Sequence, residues 1–334
     1  MGLPDFDAFQ WYFDITEHSA WEGKYILHRT QPIENLAERL NTDVATAREL
    51  LLQWQQLLTR AAADRLSTHP KPLRDPKSLT CWNALLVRGF AEAHRALPEN
   101  GYDQAATNLL EALINSVWQN GEIAHQYLNG EAEGEGFLDD YSSFGQALLE
   151  GFLLTGNSIY FDHAQEIAKS IERIFPFEGA FRVYTPSFEA AWQKQLEIED
   201  NVIPSANSMW AHFFQYLGVI ADRNDWKEQA QLALRAVHSK VFRYGPNFSN
   251  WLELGLMRAY GAKELVITGS GAKAAAEELQ RAHYQPGTLV LFSESASELA
   301  HFKGRVGHTL TYYLCSNNTC QLPTTDLNEL LKLW

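Results

Sequence analysis

The sequence predicts a mainly α protein: helical hairpins with an inner and an outer layer, followed by a small α/β unit. Three observations carry this. First, an aromatic residue with Ala four positions on recurs at Tyr102/Ala106, Tyr160/Ala164 and Trp226/Ala230, each just after an Asn-containing turn. Residues at i and i+4 share a helix face, and units roughly sixty residues apart read as hairpins of similar build. Second, residues 79–96, 144–155 and 208–221 are rich in Leu, Ala, Phe and Trp. A helix apolar on most faces is buried on most faces, so these form the inner set and the amphipathic repeats the outer one. Third, beyond residue 263 the pattern changes to short apolar runs alternating with one helical period, the signature of an α/β unit.

Taken in order, residues 35–66 supply one or two amphipathic helices. About seven helices follow between residues 75 and 261, the last over 247–260. Strands are expected at 264–268, 288–292 and 309–315, with helices at 272–282 and 326–333. Gly130, Gly134 and Gly136 are read as breaking regular structure ahead of the next inner helix. The expected divisions are an N-terminal segment (1–74), the hairpins (75–262) and the α/β unit (263–334).

The 334 residues are 46% hydrophobic and 20% charged, enough to bury a sizeable core. The formal charge of −14 and the lack of a Lys/Arg run argue against a nucleic-acid partner. The N-terminus shows no secretory pattern and no segment is apolar enough for a membrane span, so a cytoplasmic protein is expected. Three cysteines do not form a secreted disulfide framework. Cys315 and Cys320 are the one close pair and read first as structural thiols, with a disulfide or metal ligation as alternatives. No second Cys/His pair completes a metal set, so no metal and no cofactor is expected.

Residues 137–141, Phe-Leu-Asp-Asp-Tyr, carry the most information. Two carboxylates and a phenol stand where a glycine-rich loop enters an apolar helix. A helix start exposes N–H groups and favours one acidic cap; the second carboxylate has no evident structural duty and marks a candidate site. Asp139, Asp140 and Tyr141 are the candidate catalytic groups. Lys77, Trp82 and Asn83 precede or open one inner helix, and Ser205 and Asn207 another; an ordinary N-cap role for Asp75 and Ser205 stays open. In a ring of hairpins the inner-helix starts converge on one rim, which would gather these groups around a concave mouth. Trp21 and Glu22, from a further polar cluster near the N-terminus, join Lys77, Trp82, Asn83, Ser205 and Asn207 as candidate substrate-binding residues. Gly269-Ser270-Gly271 opens a helix but lacks the remaining phosphate-binding signature, so it reads as a connecting turn before a nucleotide site.

Five stretches stand in order: Trp-Glu-Gly-Lys at 21–24, Asp-x-Lys-x-Leu-Thr-x-Trp-Asn at 75–83, Phe-Leu-Asp-Asp-Tyr at 137–141, Ile-Pro-Ser-x-Asn-Ser at 203–208 and Cys-x-Asn-x-x-Cys at 315–320. Together they resemble the thioredoxin-domain-containing family of spermatogenesis-associated protein 20. The resemblance implies a six-hairpin α/α toroid similar to N-acylglucosamine 2-epimerases and six-hairpin glycosidases. This chain lacks that family's thioredoxin-like domain and Cys-x-x-Cys pair, so redox chemistry does not carry over. It also lacks two earlier motifs of the toroid, so a partial α/α toroid is expected, as the C-terminal part of a longer protein or half of a split one. On that basis the chain is expected to hold a carbohydrate-related pocket, epimerase-like or glycosidase-like, with Asp139, Asp140 and Glu199 as carboxylates and a sugar-like small molecule as ligand. The rim clusters hold no histidine and His212 and His308 have no evident partner, which weighs against epimerase chemistry. The alternative is a non-catalytic binding or interaction scaffold that pairs with the missing half of the toroid or with itself.

Overall fold

The computed structural model describes residues 2–16, 18, 22, 23, 25–68, 74–186, 195–260, 263–285, 287–295, 299–316 and 319–333. The chain divides into two compact units, Met1–Asp75 and Pro76–Trp334.

The first unit holds α1 (Phe6–Tyr12), α2 (Ile33–Arg39) and α3 (Val44–Thr68). Its core is a cluster of Phe9, Tyr12, Leu36 and Trp54. The Trp54 indole is fully buried and donates to the Pro4 carbonyl at 2.7 Å, which satisfies its only polar atom. Glu22 sits in an exposed turn with φ 44°. Trp21 lies outside the described residues.

In the second unit, α4 (Thr80–Ala96), α6 (Leu138–Thr155) and α8 (Ala206–Ile220) form the inner layer. Their outer partners are α5 (Tyr102–Val117), α7 (Ser158–Ile174) and α9 (Asn224–Arg243). Each outer helix packs on the inner helix before it, and α6 packs on α4 and α8 on both sides. This is a partial α/α toroid of three hairpins. The inner helices run parallel: Cys81 at the start of α4 meets Asp140 at the start of α6, and Arg95 near the end of α4 meets Glu150 late in α6. Gly145 sets the spacing, since a Cβ there would lie 2.4 Å from the Phe213 ring of α8. Tyr160 and Trp226 are buried toward the inner helices from outside, as the repeat predicts.

Burial follows position in the arc. Nearly every side chain of α6 and α8 is buried, whereas α4 buries one face and leaves Trp82 and Leu86 exposed. The sequence expectation of burial on most faces fails for α4 because, among the described residues of this unit, α6 is the one inner helix packed on it. Beyond α9, α10 (Ser249–Tyr260) packs on α8 and exposes Leu252, Leu256 and Tyr260.

Residues 118–135 are not irregular. Short β1 (Ser78–Leu79) and β2 (Trp118–Gln119) flank β3 (Glu122–Leu128), which pairs antiparallel with both and with β4 (Glu131–Glu135). Asn120-Gly121 and Asn129-Gly130 make the turns, all four residues with positive φ. Asn-Gly is the strongest short hairpin signal, and it outweighs the glycine count that suggested a broken segment. A two-strand ribbon, β5 (Phe177–Glu178) with β6 (Phe181–Arg182), follows α7.

The C-terminal part carries β7 (Lys263–Thr268), α11 (Ala272–Ala282), β8 (Thr288–Ser293), β9 (Thr311–Ser316), β10 (Thr319–Cys320) and α12 (Leu327–Leu333). β7 and β8 pair parallel across α11, and β9 joins β7 antiparallel, giving the order β10-β9-β7-β8. α11 packs on α4 and β8 on α6. The Gly269-Ser270-Gly271 turn spends its amides internally, Gly269 N–H on Ser293 O and Ser270 N–H on His308 O. Gly269 has φ 100° and an added Cβ would meet the Thr309 carbonyl, so the glycine is there for the turn. Cys315 and Cys320 are directly opposed on β9 and β10 and form a disulfide. The thiol reading is corrected by this cross-strand register, which spacing alone did not reveal.

Candidate functional site

β3 lies across the starts of α4 and α6. Thr80 Oγ1 donates to Ala124 O at 2.6 Å, and Ile123 N–H donates to the Tyr141 hydroxyl at 2.9 Å. Pinned at both places, the strand holds His125 beside the Asp139-Asp140 pair.

Asp140 is fully buried and is the organising group. Its Oδ1 accepts the Cys81 N–H at 3.0 Å. Its Oδ2 accepts the Phe137 N–H at 3.0 Å and faces His125 Nδ1 at 2.8 Å. One carboxylate thus closes the α6 start, ties α4 to α6 and orients an imidazole. The hydrogen bond to Asp140 raises the His125 pKa above its usual value, against partial burial. With Nδ1 engaged, Nε2 makes no hydrogen bond among the described residues. The His125 side chain keeps 31% of its surface exposed, so that nitrogen is within reach of a ligand.

Asp139 is the spare carboxylate. It is 8% exposed, and its Oδ1 accepts the Asp140 N–H at 3.0 Å. Burial, then the charges of Asp140 and Glu197, push its pKa up to about 7. Burial and then the Asp139 charge push the Tyr184 phenol well up, so it stands as a neutral hydroxyl, and its ring stacks on Phe137 with centroids 5.1 Å apart. Phe137 also meets His125 edge-on at 5.0 Å. The Asp139–His125 pair therefore lies against a small aromatic wall. Glu197, its pKa raised by desolvation, faces this group from the segment before α8. Cys81 stands beside them buried, its thiol pushed well up first by burial and then by Asp139. A thiol held neutral in this way is inert as a nucleophile.

The other candidates named from the sequence separate into distinct roles. Asp139 and Asp140 come together. Tyr141 joins them as an acceptor for a strand amide, which makes it a structural clamp. Lys77 is exposed at the head of α4, and its charge acts on His125. Asn83 donates to Leu79 O at 2.8 Å within its own helix start. Trp82 points to solvent with 61% of its surface exposed. Ser205 caps α8 through the Ser208 N–H and donates to Ile198 O. Asn207 spends its whole amide on backbone: it accepts from Arg182 N and donates to Arg182, Leu196 and Glu197 carbonyls. Glu199 is exposed and enters none of these contacts; Glu197, also exposed, is the carboxylate whose charge acts on Asp139. Asp200 is buried in a separate network with Ser205, Ser208 and Asn250. His212 also has a partner, Asn250 O at 2.7 Å, and burial lowers its pKa. His125 is the group that sequence reasoning missed. It lies outside the polar clusters, and only the two Asn-Gly turns flanking its strand hint at its placement. No group of three or more metal-ligating side chains gathers among the described residues. No helix there is long and apolar enough to cross a membrane.

These hairpins, with a polar constellation at the inner-helix starts, define a partial α/α toroid. No protein-family model matches the chain. In sequence the chain is 24% identical to uncharacterized protein B0495.5 of Caenorhabditis elegans, over 98% of this chain and 48% of that protein. It is 24% identical to human spermatogenesis-associated protein 20, over 93% of this chain and 42% of that one. The resemblance to that family therefore runs along nearly the whole chain, which spans somewhat under half the length of these relatives. Among solved structures, the GH76 α-mannanase BT2949 of Bacteroides thetaiotaomicron aligns over 50% of this chain and 46% of its own, with TM-score 0.41 and 13% identity. Cellobiose 2-epimerase from Bacillus thermoamylovorans aligns over 51% and 47%, with TM-score 0.41 and 18% identity.

Proposed function

We propose that the start of α6 is an acid–base site for proton transfer on a sugar-like, polyhydroxylated small molecule, epimerase-like or glycosidase-like in kind. The observation that carries this reading is the buried Asp140 carboxylate on His125 Nδ1 at 2.8 Å. Such a contact fixes the ring and favours its charged form, leaving Nε2 to give or take a proton. Asp139, with its pKa near neutrality, is the second proton-moving group. A group that titrates near the working pH combines availability with driving force. The Asp140 N–H keeps Asp139 oriented, the Asp140 carboxylate is a positioning group for His125, and the Phe137–Tyr184 stack offers an apolar edge for a sugar ring. The presence of His125 removes the objection to epimerase chemistry raised from sequence. The test is incubation with reducing sugars in D2O, followed by NMR, alongside hydrolysis of aryl glycosides. Deuterium entering the carbon beside the carbonyl indicates the epimerase-like reaction, and aryl release the glycosidase-like one. His125→Asn and Asp139→Asn should each abolish the signal. Absence of both reactions and of any sugar binding refutes the proposal.

A second reading has its own support. Trp82 and Leu86 on α4, and Leu252 and Leu256 on α10, are exposed apolar pairs at i and i+4 on the two end helices. We propose that these edges dock further helices, from the rest of a longer protein or from a second copy, so that the chain serves as one part of an assembled toroid.

A further inference from the structure

A cavity of about 120 Å³ opens away from the Asp139 site, between the later turns of the inner helices and residues 280–290. Arg88, Glu92 and Arg95 of α4, Gln146 and Glu150 of α6, and Glu253 of α10 supply charged and amide groups to it, and Gln280, His283 and Gln285 also line it. Part of this set is already satisfied. Arg95 pairs with Glu150 and, at 2.7 Å, with Glu92. Three others on the inner helices and α10 are not paired in this way. Gln146 is 5% exposed; its Nε2 donates to Met209 O, but its Oε1 is buried with no hydrogen-bond partner. Arg88, half-buried, and Glu253, exposed, line the same space; neither makes a hydrogen bond or a close ion pair among the described residues, and their charges act through space, Arg88 on Glu92 and both on His212. A buried acceptor left unpaired is costly unless a ligand donor meets it.

These three residues offer one guanidinium, one carboxylate and one amide oxygen. A neutral polyol would use their hydrogen bonds but not their opposed charges. A lone anion would leave Glu253 and Gln146 Oε1 unmatched, and a lone cation would leave Arg88. An engineered cavity of about 150 Å³ holds benzene, so this one takes a ligand of about six heavy atoms. We propose that it is a binding site for a small zwitterion of the α-amino acid class. The carboxylate pairs with the planar fork of Arg88, and the ammonium sits between Glu253 and Gln146 Oε1. The site is independent of the acid–base reading at Asp139.

Isothermal titration of the full chain with L-alanine is the direct test. Acetate and ethylamine serve as half-molecules, and glycerol as a neutral probe of the same size. The expected result is saturable binding of L-alanine, with each half-molecule and glycerol at least about tenfold weaker. Arg88→Gln and Glu253→Gln should each weaken L-alanine binding by about tenfold or more, consistent with loss of a charged hydrogen-bonding partner. Glu253 is on an exposed face, so its variant keeps the fold even where Arg88→Gln does not. No saturable heat up to the solubility of L-alanine overturns the proposal. So does binding unchanged by Glu253→Gln, or glycerol binding as tightly as alanine.

Discussion

Replacing Asp139 by Asn should make the protein more stable at alkaline pH. The unfolded carboxyl has a pKa near 3.8 and the folded one about 7. Between those values the folded state holds a proton that the unfolded state has released, so stability falls as pH rises. The penalty is absent below the lower value and complete above the upper one. A shift of that size corresponds to no more than roughly 4 kcal/mol, and mutual relaxation with Asp140 reduces it. Asn preserves the oxygen that accepts the Asp140 N–H and carries no charge to desolvate. Urea unfolding of both proteins from pH 4 to 9 reads the difference directly. The Asn variant should gain on the natural chain progressively between pH 4 and 7 and hold a constant lead of a few kcal/mol above that. A pH-independent difference, or a variant that loses ground at high pH, would refute the claim that Asp139 is charge-strained by burial and by its neighbours.

Three further outcomes follow from the same geometry. Asp140→Asn should lower stability by about 2–4 kcal/mol in chemical denaturation, because an amide cannot accept from Cys81 N–H, Phe137 N–H and His125 together. Asn207→Ala should cost a similar roughly 2–4 kcal/mol, leaving the Arg182 amide and several carbonyls without their partner; a neutral result would show that water replaces them. The Leu86→Ser and Leu256→Ser double variant should reduce self-association in sedimentation velocity without loss of helicity, and a natural chain that stays monomeric at high concentration removes the self-association arm.

Much of the hairpin layout was legible because it rests on local periodicity. The i, i+4 aromatic–Ala pairs marked the outer helices, and uninterrupted apolar runs marked α6 and α8. The acidic pair at 139–140 was legible for a similar reason: one carboxylate exceeded what a helix start needs. Its division of labour was not. Asp140 proved to be the cap and the buried anchor, and Asp139 the strained acid, a difference set by about one hundred degrees of rotation along a helix. Asn207 looked equally available from sequence, but its amide is consumed by two backbone stretches, at Arg182 and at Leu196–Glu197.

By itself, the sequence determined the class of fold, the alternation of inner and outer helices, the α/β ending, and the resemblance to spermatogenesis-associated protein 20. Those properties depend on residue periodicity and on ordered motifs, both written along the chain. Tertiary structure alone decided that His125 meets Asp140, that Glu197 rather than Glu199 faces Asp139, that Cys315 and Cys320 join, and that Arg88, Gln146 and Glu253 border one cavity. Apart from the disulfide, which a hairpin register sets, each of these brings together groups from separate segments, and its chemistry comes from desolvation and charge proximity. Neither quantity exists until the packed chain excludes water and fixes the distances between groups.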